Sequence, residues 1–187
     1  HGTAYELLNQ AFTVYGFINA VSVLEQQNPD PNFTTVLAPN PEEIEAFNLA
    51  IHYGKRLNAD LLICTDPDAD RMGAAVKDAT GEYKLLTGNQ IGALLLDYIL
   101  KKRKEQGSLP DNGIVIKSIV TSNLIKSIAS HFSLKTEDTL IGFKYIAEKI
   151  NQYEEQGNQS FLFGCEESNG YLISDFVRDK DGLQASL

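Results

Sequence analysis

A short apolar run, Leu61-Leu62-Ile63-Cys64, leads straight into Thr65-Asp66-Pro67-Asp68-Ala69-Asp70-Arg71. A run of that length bounded by polar residues reads as a buried strand. Upstream, Asn40-Pro41-Glu42-Glu43 carries helix-start signals: Asn can cap, Pro fits the first helical position, and acidic residues suit the positive end of the helix dipole. The spacing of Ile44, Phe47 and Ile51 predicts a helix from about Pro41 to Lys55. A helix-then-strand unit means an α/β fold, with the aspartate loop at the strand's carboxyl end, where open α/β sheets put ligands.

The loop has its own chemistry. Asp66, Asp68 and Asp70 stand at alternate positions and offer the oxygen ligands that suit hard cations such as Mg²⁺ or Mn²⁺, which combine few protein ligands with phosphate oxygens. Arg71 adds a planar fork for a phosphate. A calcium loop of the EF-hand type fails on position, because the turn glycine is replaced by Arg71 and the closing glutamate by Lys77. An aspartate-nucleophile phosphatase would use Asp66 to attack phosphate and Asp68 to handle the proton. Asp70 counts against that reading, and three clustered carboxylates favour a metal. The phosphatase and a structural turn stay open beside the metal site.

Further along, Met72 to Val76 and Tyr83 to Leu86 flank Asp78-Ala79-Thr80-Gly81, a hairpin signal. Thr87 and Gln90 have capping-box spacing, and Ile91, Leu94, Leu95, Tyr98 and Ile99 predict the buried stripe of a helix that ends at Lys101-Lys102-Arg103-Lys104. That basic run reads as a solvated helix end favoured by the dipole. A second α/β unit follows: strand Ile114 to Ile119, a helix with Leu124, Ile125, Ile128 and Phe132, a helix opened by Gly142-Phe143-Lys144, and strand Phe161 to Gly164. The expected domains are 1–87 and 88–187. The loop Cys165-Glu166-Glu167-Ser168-Asn169-Gly170 could hold sugar hydroxyls, since carboxylates accept and Ser or Asn can do either; an ordinary polar loop is the alternative.

The formal net charge of −9 argues against binding duplex nucleic acid, which requires clustered Lys and Arg. Residues 1–90 hold five basic and twelve acidic side chains, residues 91–187 eleven and thirteen, so cations for an anionic substrate lie mainly in the second half. Cys64 and Cys165 lack CxxC spacing, and His1, His52 and His131 lack metal-ligand spacing. No apolar stretch is long enough for a bilayer and no signal segment opens the chain, so no membrane partner and a cytoplasmic location are expected. His1-Gly2-Thr3 at the start and Gly182-Leu183-Gln184-Ala185-Ser186-Leu187 at the end read as cut ends of a longer chain.

Together, Asp66-Pro67-Asp68-Ala69-Asp70-Arg71, Gly164-Cys165-Glu166-Glu167-Ser168-Asn169-Gly170 and Arg178-Asp179-Lys180-Asp181-Gly182 resemble, in this order, motifs of the α-D-phosphohexomutases, the phosphoglucomutase/phosphomannomutase family. His1-Gly2-Thr3 is similar to the segment leading into that family's second domain, and Gly142-Phe143-Lys144 to its Gly-aromatic-Lys segment. The resemblance implies the second and third of four domains, each a mixed-sheet α/β sandwich of two similar kinds. It implies an intramolecular phosphotransferase (an isomerase) that interconverts glucose 1-phosphate and glucose 6-phosphate through a phosphoserine and glucose 1,6-bisphosphate. A phosphomannomutase, a broader phosphohexomutase and a sugar-phosphate-binding module are the alternatives. The resemblance further implies Mg²⁺ on Asp66, Asp68 and Asp70, with Arg71 steadying the phosphate. Glu166 and Ser168 would grip the sugar, and Glu167 weakly favours glucose over mannose. Lys117 or Lys180 would move a proton or offset charge, with Lys144 and Arg178 near the substrate. The family's active serine loop and its fourth-domain phosphate loop have no counterpart, so the chain alone is expected to be inactive, its partners being a phosphorylated hexose and domains 1 and 4.

Overall fold

A computed structural model describes residues 1–187. The chain is α/β and divides into two units, His1–Leu86 with Gly182–Leu187, and Thr87–Asp181.

In the first unit, helix α1 (Ala4–Val14) precedes a long irregular stretch. The predicted Pro41 helix starts later than its signals suggest. Asn40 Oδ1 accepts from the Glu42 amide at 3.2 Å, and the Glu43 amide donates to the Asn40 carbonyl at 3.1 Å. This local turn competes with helix. A short 3-10 segment, Ile44–Phe47, intervenes before α2 (Asn48–Leu57). Of the predicted apolar positions, Phe47 is fully buried, Ile51 packs at the core's edge and Ile44 is exposed. Strands β1 (Leu61–Thr65), β2 (Met72–Lys77) and β3 (Tyr83–Leu85) form an antiparallel meander, order β1-β2-β3. The β2–β3 turn is held by Asp78 Oδ1, which accepts from the Thr80 and Glu82 amides. Phe47, Ala46, Leu62, Ala75 and Tyr83 make the core.

The second unit opens with α3 (Gly88–Glu105), whose Thr87–Gln90 capping box forms as its spacing predicts. The predicted stripe forms in part, with Ile91 buried and Leu95 and Ile99 half-buried. Ile91, Gly92, Ala93, Leu96 and Leu100 face inward, while Leu94 and Tyr98 lie on the solvent side. On that face Gly92 lets Tyr171, Ile125 and Cys165 come close. Strand β4 (Gly113–Ser118), helix α4 (Leu124–His131), strand β5 (Lys135–Thr139), helix α5 (Phe143–Gln156) and strands β6 (Ser160–Glu166) and β7 (Gly170–Leu172) complete the unit. The sheet order is β5-β4-β6-β7, with β4 parallel to both neighbours and β7 antiparallel to β6.

Strand alternation sorts side chains to two faces. Ile114, Ile116 and Leu172 pack with Phe143, Ile146 and Ile150 of α5, while α3 and α4 pack on β6 and β4. The last helix, α6 (Gly182–Ser186), groups with the first unit rather than with residues 88–181. No helix is long and apolar enough to cross a membrane.

Candidate metal and sugar-phosphate sites

Strands β1 and β2 pair out to Thr65 opposite Met72, so Asp66–Arg71 is the connection of a hairpin. The connection turns through Ala69, whose φ of 63° is left-handed, a conformation that costs an L-residue about 1 kcal/mol or more. Such strain persists only where surroundings impose it, and here the loop carbonyls are tied from outside. Pro67 O accepts from the Thr3 amide at 2.9 Å, and Ala69 O from the Gly182 amide at 3.0 Å. Both approaches need glycine. A Cβ on Gly2 would lie 2.2 Å from Pro67 O, and one on Gly182 2.7 Å from Arg71 O.

The carboxylates converge: one oxygen each from Asp66, Asp68 and Asp70 lies within 4.8 Å of the others. A hard cation with oxygen bonds of about 2.1 Å holds adjacent ligands about 3 Å and opposite ligands about 4 Å apart, so the carboxylates would have to draw together by about 1–2 Å to close on one ion. Asp66 is buried, Asp70 half-buried and Asp68 exposed, an open side through which a phosphate could approach. The donor set and spacing fit Mg²⁺ or Mn²⁺.

Arg71 fixes Asp66. Its backbone amide donates to Asp66 Oδ1 at 3.1 Å and its Nε to Oδ2 at 2.8 Å, while Nη1 reaches Glu42 Oε1 at 2.9 Å. Desolvation works against the charged guanidinium, but the Asp66 hydrogen bond and the charges of Asp66, Glu42 and Asp70 outweigh it and raise the Arg71 pKa above its usual value. Glu42 and Asn40, which sequence reasoning assigned only to a helix start, are thus part of the loop's support.

In the second unit, Glu166 ends β6 and is buried, with Oε1 accepting from the Gly142 amide ahead of α5 at 2.7 Å. Ser168 sits half-buried in the turn between β6 and β7. Lys117, 1% exposed, ends its course at the tip of β4, where Nζ meets Asp138 Oδ1 at 2.9 Å and the carbonyls of Ser118 and Thr121 at 3.2 and 3.0 Å. Lys180 lies across Gly170, where a Cβ would meet its Cδ at 2.4 Å, with Nζ 5.9 Å from the Phe143 ring centre. Glu166, Lys180 and the start of α5 are therefore neighbours.

Lys144 and Arg178 line a shallow depression beside α5 with Glu148, Asn151 and Asp179. There Lys144 Nζ stands 4.9 Å over the Tyr145 ring. Arg178 is engaged within the protein, by Asn151 Oδ1 at 2.7 Å, Glu154 and the Asp175 carbonyl. Sequence reasoning also missed Asp138, Ser118 and Thr121. The signal available for Asp138 was indirect: a lysine inside an apolar strand pattern needs a charged partner, here a carboxylate that itself reaches solvent.

Cys165 is fully buried, and burial above all, with Glu166 and Glu167 adding to it against Lys117, pushes its thiol up to about 12. Burial and the Asp66 charge push Cys64 up to about 11. Both cysteines are free.

Paired α/β units, one with a carboxylate hairpin and one with a buried glutamate at a strand end, define a class that comparison with known proteins identifies. The profile for phosphoglucomutase/phosphomannomutase α/β/α domain II matches residues 1–81, and that for domain III residues 87–187. The chain belongs to the phosphoglucomutase/phosphomannomutase family. It is similar to phosphoglucomutases of Staphylococcus haemolyticus and of Staphylococcus aureus strain N315, each 44% identical over 184 residues. The alignment covers 98% of this chain and 32% of each relative, so the chain spans about a third of their length. In fold it is similar to a Thermus thermophilus protein assigned as a phosphomannomutase, with TM-score 0.75, 22% identity, and coverage of 99% of this chain and 38% of that one. A phosphoglucomutase/phosphomannomutase family protein from Burkholderia thailandensis gives TM-score 0.73, 19% identity, and 99% and 36% coverage.

Proposed function

We propose that this chain supplies the metal-binding and sugar-binding domains of a phosphoglucomutase, which interconverts glucose 1-phosphate and glucose 6-phosphate through a phosphoserine and a 1,6-bisphosphate. The observation that carries this reading is the convergence of Asp66, Asp68 and Asp70 on one loop in a chain 44% identical to phosphoglucomutases. The serine that carries the phosphoryl group, and the phosphate loop, would come from family domains 1 and 4.

Asp66, Asp68 and Asp70 would hold Mg²⁺, which when bound supplies positive charge against the phosphoryl oxygens. Arg71 holds Asp66 in place from two atoms and offsets part of the loop's negative charge. Glu166 and Ser168 would accept and donate to sugar hydroxyls. Glu166 is already oriented by the Gly142 amide, so little side-chain entropy remains to be lost on binding. Lys180, beside Gly170, would offset substrate phosphate or pass a proton, and Lys117 would add positive charge from the end of β4, its ammonium held by Asp138 and two carbonyls. A cytoplasmic location goes with a phosphorylated sugar substrate.

The test is an assay of the full-length protein on glucose 1-phosphate, with glucose 6-phosphate formation followed by a coupled dehydrogenase. Turnover that requires Mg²⁺ and is primed by glucose 1,6-bisphosphate is expected. Faster conversion of mannose 1-phosphate would move the assignment to a phosphomannomutase, and release of phosphate from a generic ester would favour a phosphatase.

A further inference from the structure

Two turns of the second unit, the one after β4 and the one after β6, are joined through a single carboxylate. Glu167 Oε2 lies 2.9 Å from Ser118 Oγ and 3.3 Å from Thr121 Oγ1, and the two hydroxyls are 2.7 Å apart. An ionised carboxylate only accepts, and each hydroxyl has one proton. Two protons therefore serve three contacts: Ser118 donates to Glu167 at the shorter distance, and Thr121 shares its proton between Ser118 and the carboxylate. Ser118 and Thr121 are buried, so an unmatched hydroxyl there would be costly.

The same turn carries other weight. Its Ser118 and Thr121 carbonyls receive the ammonium of Lys117, and its Ser122 amide donates to Asn89 Oδ1 at 2.8 Å. The main chain of Glu167 is equally constrained, because Gly88 packs so closely that a Cβ there would lie 2.0 Å from Glu167 O. Adjacent residues diverge at the sheet's end. Glu166 turns to the α5 side and bonds Gly142, while Glu167 turns to the β4 turn.

We propose that Glu167 is a positioning residue: by anchoring to Ser118 and Thr121 it sets the sugar-gripping pair Glu166 and Ser168 and ties their placement to that of Lys117. The proposal rests on the sugar-binding reading of Glu166 and Ser168 above. Lysine and sugar loop then behave as one body, so an error in either is felt by both.

In the full-length protein, Glu167→Ala should raise KM for glucose 1-phosphate about tenfold while lowering kcat less, the size expected for a sub-ångström misplacement. Glu167→Gln keeps an acceptor oxygen for the hydroxyls and should restore KM to within about threefold of wild type. Ser118→Ala should raise KM in the same direction. Combined with Glu167→Ala it should add nothing, since the two act on one contact. Additive effects, or a Gln variant as impaired as the Ala variant, would overturn the proposal in favour of direct substrate contact through charge. Hydrogen exchange without substrate gives the independent reading. Amides of 118–122 and 166–169 should exchange faster in Glu167→Ala while those of 66–71 do not change; unchanged exchange at 118–122 would overturn the anchor. If the wild-type protein does not isomerise glucose phosphates, the proposed function fails, and the exchange result still decides the anchor.

Discussion

The two units hold their acidic residues in opposite ways. In the first, the loop backbone is clamped by Thr3 and Gly182, and of its three carboxylates only Asp66 is buried, so Asp68 turns oxygen lone pairs to the open side. In the second, Glu166 and Glu167 are taken up by the protein's own amide and hydroxyl donors. On the function proposed above, a carboxylate cluster with lone pairs to offer and too little positive charge would take a cation. Carboxylates already met by neutral donors are instead fixed in direction, which suits recognition of hydroxyls. Acidic content alone does not separate the two loops; the donors already committed to each carboxylate oxygen do.

Neutralising the first kind should do the most damage. Asp68→Asn in the full-length protein should lower turnover by about 100-fold or more and weaken Mg²⁺ binding; near-normal turnover at ordinary Mg²⁺ would erase the distinction between the loops. Next in size is Gly182→Ala, whose Cβ would press on Arg71 O and Ala69 O. It should cost the first unit about 1–3 kcal/mol in denaturant melts and loosen metal binding, while the second unit's unfolding stays put. The smallest effect belongs to the second unit. Because the Cys165 thiol is pushed up to about 12, its contribution to stability is intact below the unfolded thiol pKa and is lost as pH rises above it. Stability should fall by up to about 1.4 kcal/mol per pH unit above about pH 9, and Cys165→Ala should flatten that slope in melts taken between pH 8 and 10.

Much of this is legible in the residues. The strand–aspartate loop–strand order and the Thr87–Gln90 box are local signals whose physics is complete within a few positions, and both form. The α3 stripe differs from its expectation because side-chain type does not fix inward direction. Gly92 and Ala93 face the core through closeness rather than bulk, which sets Leu94 outside. Strand β5, Lys-Thr-Glu-Asp-Thr, carries no apolar alternation because it is an edge strand, where charged residues are tolerated and protective. The Asn40-Pro41-Glu42-Glu43 signal is real but spent on a turn and on Arg71. Hidden from the sequence are the long-range ties: Thr3 to Pro67, Gly182 to Ala69, Ser118 and Thr121 to Glu167. Nothing in the spacing of such residues announces a partner.

The return of Gly182–Leu187 to the first unit has a consequence for biosynthesis. A ribosome releases the chain amino end first, so the hairpin with its three aspartates emerges long before the glycine that closes on Ala69 O. The second unit, by contrast, is one uninterrupted stretch that ends at Asp181. Of the two units, the earlier in sequence is therefore the later to have all its residues, and the acidic hairpin gains its contact with Gly182 only after the intervening unit has been synthesised.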